Sequence, residues 1–313
     1  MDPLRCLTAE SGFFTRQEAL NAGCSERQIA RARASGVWVR FRRGCYAFAD
    51  EWAQLDEVAR HRVRCNAVLR SLGDAVVLSH VSGVIRHDID VWGLRLDRVH
   101  VTRVDGGPGR VEGDVVHHEG LVTDQDVVDV EGQRVLRAER CVLEAGSRAS
   151  NEKALCLMES GLRQAKFDRD ALESQFALMA HWPFAQHLHI PVRLADPRSE
   201  SVGESRGNWW FWALGIPAPE LQFEIRDHSG RVLGIADWWW EKYGLLGEFD
   251  GRVKYGRLLK PGQEPGDVVF EEKVREDLLR ETTGAKMLRL TWNDYREPRR
   301  ILARFNRLAG RAG

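Results

Sequence analysis

Asp237, Glu248 and Asp250 lie in RVLGIADWWWEKYGLLGEFDGRVKY, residues 231–255, and are the side chains best placed by type and spacing to do chemistry. The stretch predicts two strands joined by a short turn. Asp237 ends the first strand, and Glu248 and Asp250 lie on the second. Residues two apart on a strand share a face, so Glu248 and Asp250 project together. A hairpin brings Asp237 beside them. Converging carboxylates suit a hard divalent cation, Mg2+ or Mn2+. Such a cation activates water and neutralises charge on a phosphodiester. The opposing readings are a strand-end turn residue at 237 and a solvated edge strand carrying Glu248 and Asp250.

A helix, a turn and a strand must precede this hairpin to position it. DPRSESVGESRGNWWFWALGIPAPELQFEI, from Asp196, predicts them. Glu200 and Glu204 are four residues apart and share one helix face. Glu204 is the candidate that reaches the cation, directly or through water, and a solvated helix position is its alternative. Trp209, Trp210, Phe211, Trp212 and Leu214 bury the helix, Gly215 ends it, and Asp227 to Gly230 make the next turn. Trp238, Trp239 and Trp240 are expected in a core or interface. A Gly/Pro loop at 256–267, a charged helix from Glu271 to Thr282, a strand at 286–292 and a helix at 298–309 complete this unit.

The beginning of the chain predicts a different unit, residues 8–50. Thr15 caps a helix with Glu18 three residues on, a capping box, and Gly23 ends it. Ser25 caps a second helix through Ala34, with Ile29 and Ala32 inward and Arg27, Arg31 and Arg33 outward. VWVRFRRGCYAF then forms a hairpin around Arg43-Gly44. Helix, tight turn, helix and hairpin describe a winged helix-turn-helix. Its second helix enters a major groove, and the wing arginines Arg40, Arg42 and Arg43 meet phosphates. A solvated basic face, or a protein-binding winged helix, is the competing reading.

Between these units the pattern is mixed. A helix is expected over 51–72, strands over 99–104 and 114–120, and helices over 138–147 and 150–164. Residues 165–195 are largely helical and connecting. His80, His87, His117 and His118 fit no standard zinc spacing. His87 and Asp88 could ligate, and His80 is expected at a helix start or in a core hydrogen bond. His181, His187 and His189 lie in a proline-flanked loop. The domain boundaries expected are therefore 1–50, 51–195 and 196–313.

Composition bounds the rest. The 313 residues are 43% apolar and 29% charged with zero formal net charge, ordinary for a globular α/β multi-domain protein. The lysines all follow residue 150, and the N-terminal part is basic through arginine alone. The six cysteines form no CxxC pair, which fits reduced thiols rather than a disulfide framework or zinc site. Met1 to Glu10 lacks the apolar run of a signal peptide, and no stretch matches a membrane span. A cytoplasmic location is expected.

The order FFTRQEALNAGCSERQIARARASGVWVRFRRGCYAF resembles the winged helix of AbiEi-type antitoxins, of bacterial toxin–antitoxin and phage-abortive systems. Gly23, Gly36, Gly44 and Tyr46 match that family's turn and wing. VVLSHVSGVIRHDIDVWG and RAERCVLEAG continue the likeness more weakly. From about 200 to 295, SESVGESR, GIADWWW, GEFDGRVKY and EKVREDLLRETTGAKMLRLTW resemble the very-short-patch-repair-like branch of the PD-(D/E)xK nucleases. That likeness implies a restriction-endonuclease-like core of helix, three strands, helix and strand, with Mg2+ on Asp237 and Glu248. The superfamily's usual lysine, two residues after the second acid, is replaced here by Asp250, a third ligand in this reading. Lys254 or Lys273 would then supply the positive charge, and Lys273, Arg275 and Arg280 are candidates for phosphate contacts. Two functions follow from the resemblances. One is a DNA-directed, Mg2+-dependent endonuclease, with RNA cleavage as a weaker variant. The other is an autorepressor and antitoxin whose nuclease-like domain does not cleave. The partners implied are double-stranded DNA, a cognate toxin or other defence protein, and a second copy of the chain.

Overall fold

Capping residues begin most of the elements that carry functional side chains. The computed structural model describes residues 3–251 and 284–310. It divides into two units, Met1–Leu157 with Lys166–Leu188, and Met158–Ala165 with His189–Gly313.

The first unit opens with α1 (Pro3–Ser11), β1 (Phe14–Thr15), α2 (Arg16–Asn21), α3 (Glu26–Ala34), β2 (Trp38–Arg42) and β3 (Cys45–Phe48). Thr15 and Ser25 close the capping boxes, with Glu18 and Gln28 as their reciprocal partners. The three strands pair in the order β1-β3-β2. Gly44, at φ 75, takes the left-handed conformation that the wing's tight turn requires. Leu4, Phe14, Ala19, Ile29, Trp38, Tyr46 and Phe48 form one buried cluster beneath α3 and the wing. This is a winged helix whose first helix, α1, the sequence reading did not include.

The expected helix over 51–72 is in fact two, α4 (Ala49–Gln54) and α5 (Glu57–Leu72). Leu55 is extended, and Asp56 caps α5 by accepting the Ala59 N–H at 2.7 Å. Phe13, Cys45, Val63 and Ala67 form a second buried cluster, so α5 and the winged helix share a core.

The middle of this unit is a six-stranded sheet rather than the two strands expected. It comprises β4 (Val76–Leu78), β5 (Val99–Arg103), β6 (Arg110–Glu112), β7 (Val115–His118), β8 (Val127–Val130) and β9 (Gln133–Leu136), with α6 (His80–Arg86) after β4. The order is β6-β7-β5-β4-β9-β8. The β5/β7 and β4/β9 pairs are parallel, and the other neighbours antiparallel. Buried α7 (Ala138–Ser147) follows, then α8 (Asn151–Arg163) and α9 (Arg169–Met179).

The second unit contains α10 (His189–Leu194), α11 (Val202–Ala213), β10 (Glu220–Arg226), β11 (Val232–Trp240), β12 (Leu245–Asp250), β13 (Lys286–Thr291) and α12 (Pro298–Ala309). Its sheet order is β10-β11-β12-β13, antiparallel except for the parallel β12/β13 pair. Phe211, Trp238, Trp240, Leu245, Phe249, Leu288, Leu290, Ile301 and Phe305 make the core between sheet and helices. Gly203 and Gly207, one turn apart on α11, let that helix approach closely. A Cβ on Gly203 would lie 1.9 Å from the Phe249 ring, and one on Gly207 would lie 2.4 Å from Trp238. The expected loop at 256–267 and helix at 271–282, with Lys254, Lys273, Arg275 and Arg280, lie outside the described residues.

Candidate nucleic-acid interface and carboxylate site

Helix α3 exposes Arg27, Arg31 and Arg33, and the wing exposes Arg40 and Arg43. Only Ile29 of α3 is fully buried, so the helix is anchored by one stripe and offers the rest to solvent. None of these arginines makes an ion pair among the described residues. The acids nearby are already neutralised. Glu26, at the start of α3, pairs with Arg16, and Glu18 pairs with Arg70 at 3.1 Å. What remains is a face with uncompensated positive charge. Arg42 does not belong to it: its side chain is mostly buried and paired with Asp114. Local alternation did not reveal this, because Asp114 lies far along the chain.

Three candidate carboxylates of the second unit, Glu204, Asp237 and Glu248, have protein partners. Glu204 is 4% exposed. Its Oε1 accepts the Ser201 hydroxyl at 2.7 Å, and its Oε2 accepts the Glu200 N–H and the Gln222 amide, both at 2.9 Å. Glu204 therefore secures the start of α11, whose cap is Ser201. Glu200 is exposed and contributes its backbone to that arrangement.

On the sheet, the antiparallel register pairs Trp238 with Gly247. Asp237 and Glu248 are the residues next to this pair, on their respective strands. The Asp237 carboxylate accepts the Phe249 N–H at 2.6 Å, so it serves as a backbone acceptor where the strands part. Glu248 is 9% exposed and lies beside Arg289 in the parallel register, with Oε2 to Nη2 at 3.6 Å. Sequence reasoning missed Arg289, whose place beside Glu248 depends on a parallel pairing with a distant strand. Asp250 is half-buried opposite Thr291. Among the described residues, no three of these acids bring their oxygens within 4.8 Å of one another.

The histidines separate into different groups. His87 donates from Nε2 to the Leu136 carbonyl at 2.8 Å, and burial lowers its pKa. Asp88, its expected co-ligand, pairs instead with Arg62. His117 is buried. His80 and His118 come together with His100, a residue that no local pattern singled out.

Residues 3–49 match the family described as "Transcriptional regulator, AbiEi antitoxin". The chain is 25% identical over 178 residues to two proteins of Mycobacterium tuberculosis, "Uncharacterized protein MT2308" (strain CDC 1551 / Oshkosh) and "Uncharacterized protein Rv2248" (strain ATCC 25618 / H37Rv). Those alignments cover 54% of this chain and 59% of each relative, so the chain spans about three-fifths of the length of the curated relatives it matches. It is also similar to the "Crystal structure of RV2827C protein from Mycobacterium tuberculosis", at 13% identity and a TM-score of 0.38, covering 66% of this chain and 82% of that one. Among the described residues, no helix is long and apolar enough to cross a membrane.

Proposed function

We propose that this protein is a DNA-binding transcriptional regulator of the AbiEi antitoxin kind, which docks α3 in a major groove and lays its wing along the backbone. The carrying observation is the unpaired arginine face of Arg27, Arg31, Arg33, Arg40 and Arg43, in the segment that matches that family. Cationic side chains with no acid to occupy them supply the phosphate contacts that dominate DNA affinity. A cognate toxin, another defence protein and self-association belong to the same proposal. In the test, a reporter is driven by the DNA upstream of the gene, with wild type or Arg27→Ala/Arg31→Ala supplied in trans. Repression by wild type and release by the variant support the proposal. Equal reporter output with and without wild type counts against it.

A second reading is a metal-dependent endonuclease. One specific observation favours it: a helix precedes three antiparallel strands, a fourth strand is parallel to the third, and Asp237 and Glu248 adjoin the paired residues Trp238 and Gly247. Against it stand the hydrogen bonds that Glu204 accepts on both oxygens and Asp237 on Oδ2. Plasmid nicking with Mg2+ or Mn2+ that Asp237→Ala and Glu248→Ala both abolish would reverse this order of preference.

A further inference from the structure

His80, His100 and His118 approach one another from three elements of the first unit. His100 lies within β5 and His118 ends β7. The parallel register aligns Thr102 with His118 and His100 with Val116, so both histidines occupy one face of the sheet. His80 opens α6, directly after β4, with φ at 50. A non-glycine residue pays about 1 kcal/mol or more for that conformation. Here it turns the imidazole towards the other two.

The nitrogens converge. One ring nitrogen from each histidine lies within 4.8 Å of the other two. His100 Nδ1 is 2.9 Å from His118 Nε2, and the rings of His80 and His118 stack at 3.6 Å. Only one proton fits between two such nitrogens, so at least one lone pair points inward. A metal takes such an imidazole in its neutral form, through that lone pair.

The supporting groups are arranged as metal ligands require. Glu144 Oε2 lies 3.2 Å from His80 Nδ1. A carboxylate behind an imidazole fixes its tautomer and orientation. Arg140 holds Glu144 at 2.9 Å, and Asp126 holds Arg140 at 2.9 Å. The Ser82 hydroxyl accepts the His100 N–H at 2.8 Å, which pins β5 at the cluster. A cavity of about 380 Å³ is bounded by His80 and His100, with Arg98 and Arg148 in its wall. On the His118 side, a smaller cavity of about 170 Å³ is bordered by Thr102, whose buried Oγ1 has no hydrogen-bond partner among the described residues.

We propose that His80, His100 and His118 bind a divalent transition-metal ion of the zinc class, with Glu144 orienting His80 and the remaining coordination position open to water or an anion beside Arg98 and Arg148. An all-nitrogen donor set selects zinc and its neighbours over magnesium or calcium.

The test is titration of the full-length, chelator-treated protein with Zn2+ by calorimetry and with Co2+ by visible absorption. Wild type is compared with His100→Ala, His118→Ala and Glu144→Gln. A His181→Ala/His187→Ala/His189→Ala variant controls for surface binding, and circular dichroism reports folding. The expected result is one ion per chain, with the intense visible band of low-coordinate Co2+. Affinity falls at least about 100-fold in folded His100→Ala and His118→Ala, falls about 10- to 100-fold in Glu144→Gln, and is unchanged in the control. If the alanine variants do not fold, wild type and Glu144→Gln decide the matter by the same two readouts. The proposal is overturned by a wild type that takes up no ion, by a six-coordinate Co2+ spectrum, or by binding that only the control variant loses.

Discussion

The two units treat their polar side chains in opposite ways. In the first, Arg27, Arg31 and Arg33 of α3 and Arg40 and Arg43 of the wing have no acid partners among the described residues, and three imidazoles turn nitrogens towards one another. In the second, the side chains that look most chemical are engaged by the protein itself: Glu204 by Ser201, Glu200 and Gln222, and Asp237 by the Phe249 N–H. Residue type alone ranks the acids first. Partner accounting reverses that order, because a group whose hydrogen-bonding capacity is used in folding has less to offer a ligand.

The largest expected effect separates binding from stability. Arg27→Ala/Arg31→Ala should weaken duplex binding roughly 30- to 150-fold, at about 1 to 1.5 kcal/mol per lost charged contact. Both residues are exposed, so the unfolding free energy should move by less than about 0.5 kcal/mol each. Fluorescence anisotropy beside thermal melts checks this. A comparable fall in melting temperature would erase the contrast between the units.

Acidity should act on the units with opposite sign. His61 is fully buried, with Nδ1 at 3.0 Å from the Leu96 carbonyl and Nε2 at 2.8 Å from the Ser82 hydroxyl. The Leu96 carbonyl can only accept, so Nδ1 carries the proton of the neutral ring and Nε2 accepts from the Ser82 hydroxyl. Burial lowers the His61 pKa from 6.5 to about 4. The unfolded chain therefore takes up the proton first. Stability from this group is complete above about pH 6.5 and declines as pH falls towards 4, by roughly 3 kcal/mol.

Glu159 reverses the sign. Burial raises its pKa from 4.5 to about 7, and the Asp196 N–H donates to its Oε1 at 3.2 Å. Its contribution is complete below about pH 4.5 and lost as pH rises through 7, again by roughly 3 kcal/mol. Hydrogen exchange across pH 4 to 8, resolved by segment, should show protection of α5 falling at the acid end and protection of α8 near Glu159 falling at the neutral end. The same pH trend in both segments would contradict this assignment.

Smaller effects sharpen the reading of the acids. Asp237→Ala leaves the Phe249 N–H without its acceptor and should destabilise the second unit by about 1 to 3 kcal/mol, as read by denaturant titration. Asp237→Asn keeps an acceptor oxygen and should cost less. Glu248→Gln weakens a 3.6 Å pair with a partly exposed Arg289 and should cost about 1 kcal/mol or less. Stability unchanged in Asp237→Ala would return that carboxylate to the pool of ligand candidates.

The winged helix was legible because its signals are local. Thr15 and Ser25 announce two helices, and Gly44 announces the wing turn. α1 escaped because PLRCLTAES carries no acid in its first turn and no base in its last. The six-stranded sheet was mostly invisible: β4 and β6 have only three residues each, too few to show alternation. In the second unit, alternation placed Glu248 and Asp250 on one strand, but it ended the neighbouring strand at Asp237, whereas β11 runs on to Trp240. It could not supply Arg289, Gln222 or the Phe249 N–H. The histidine cluster left no motif, because its members come from the start of α6, from β5 and from the end of β7. Sheet order alone brings them together.

The most direct test of the central claim is the salt dependence of duplex binding, for wild type and for a variant with Arg27, Arg31, Arg33, Arg40 and Arg43 replaced by alanine. Each phosphate contact contributes about 0.9 to the slope of log K against log salt. The account predicts that the variant's slope is shallower by about 4 to 5, with folding retained. A folded variant with the wild-type slope would place the DNA contacts elsewhere and contradict it.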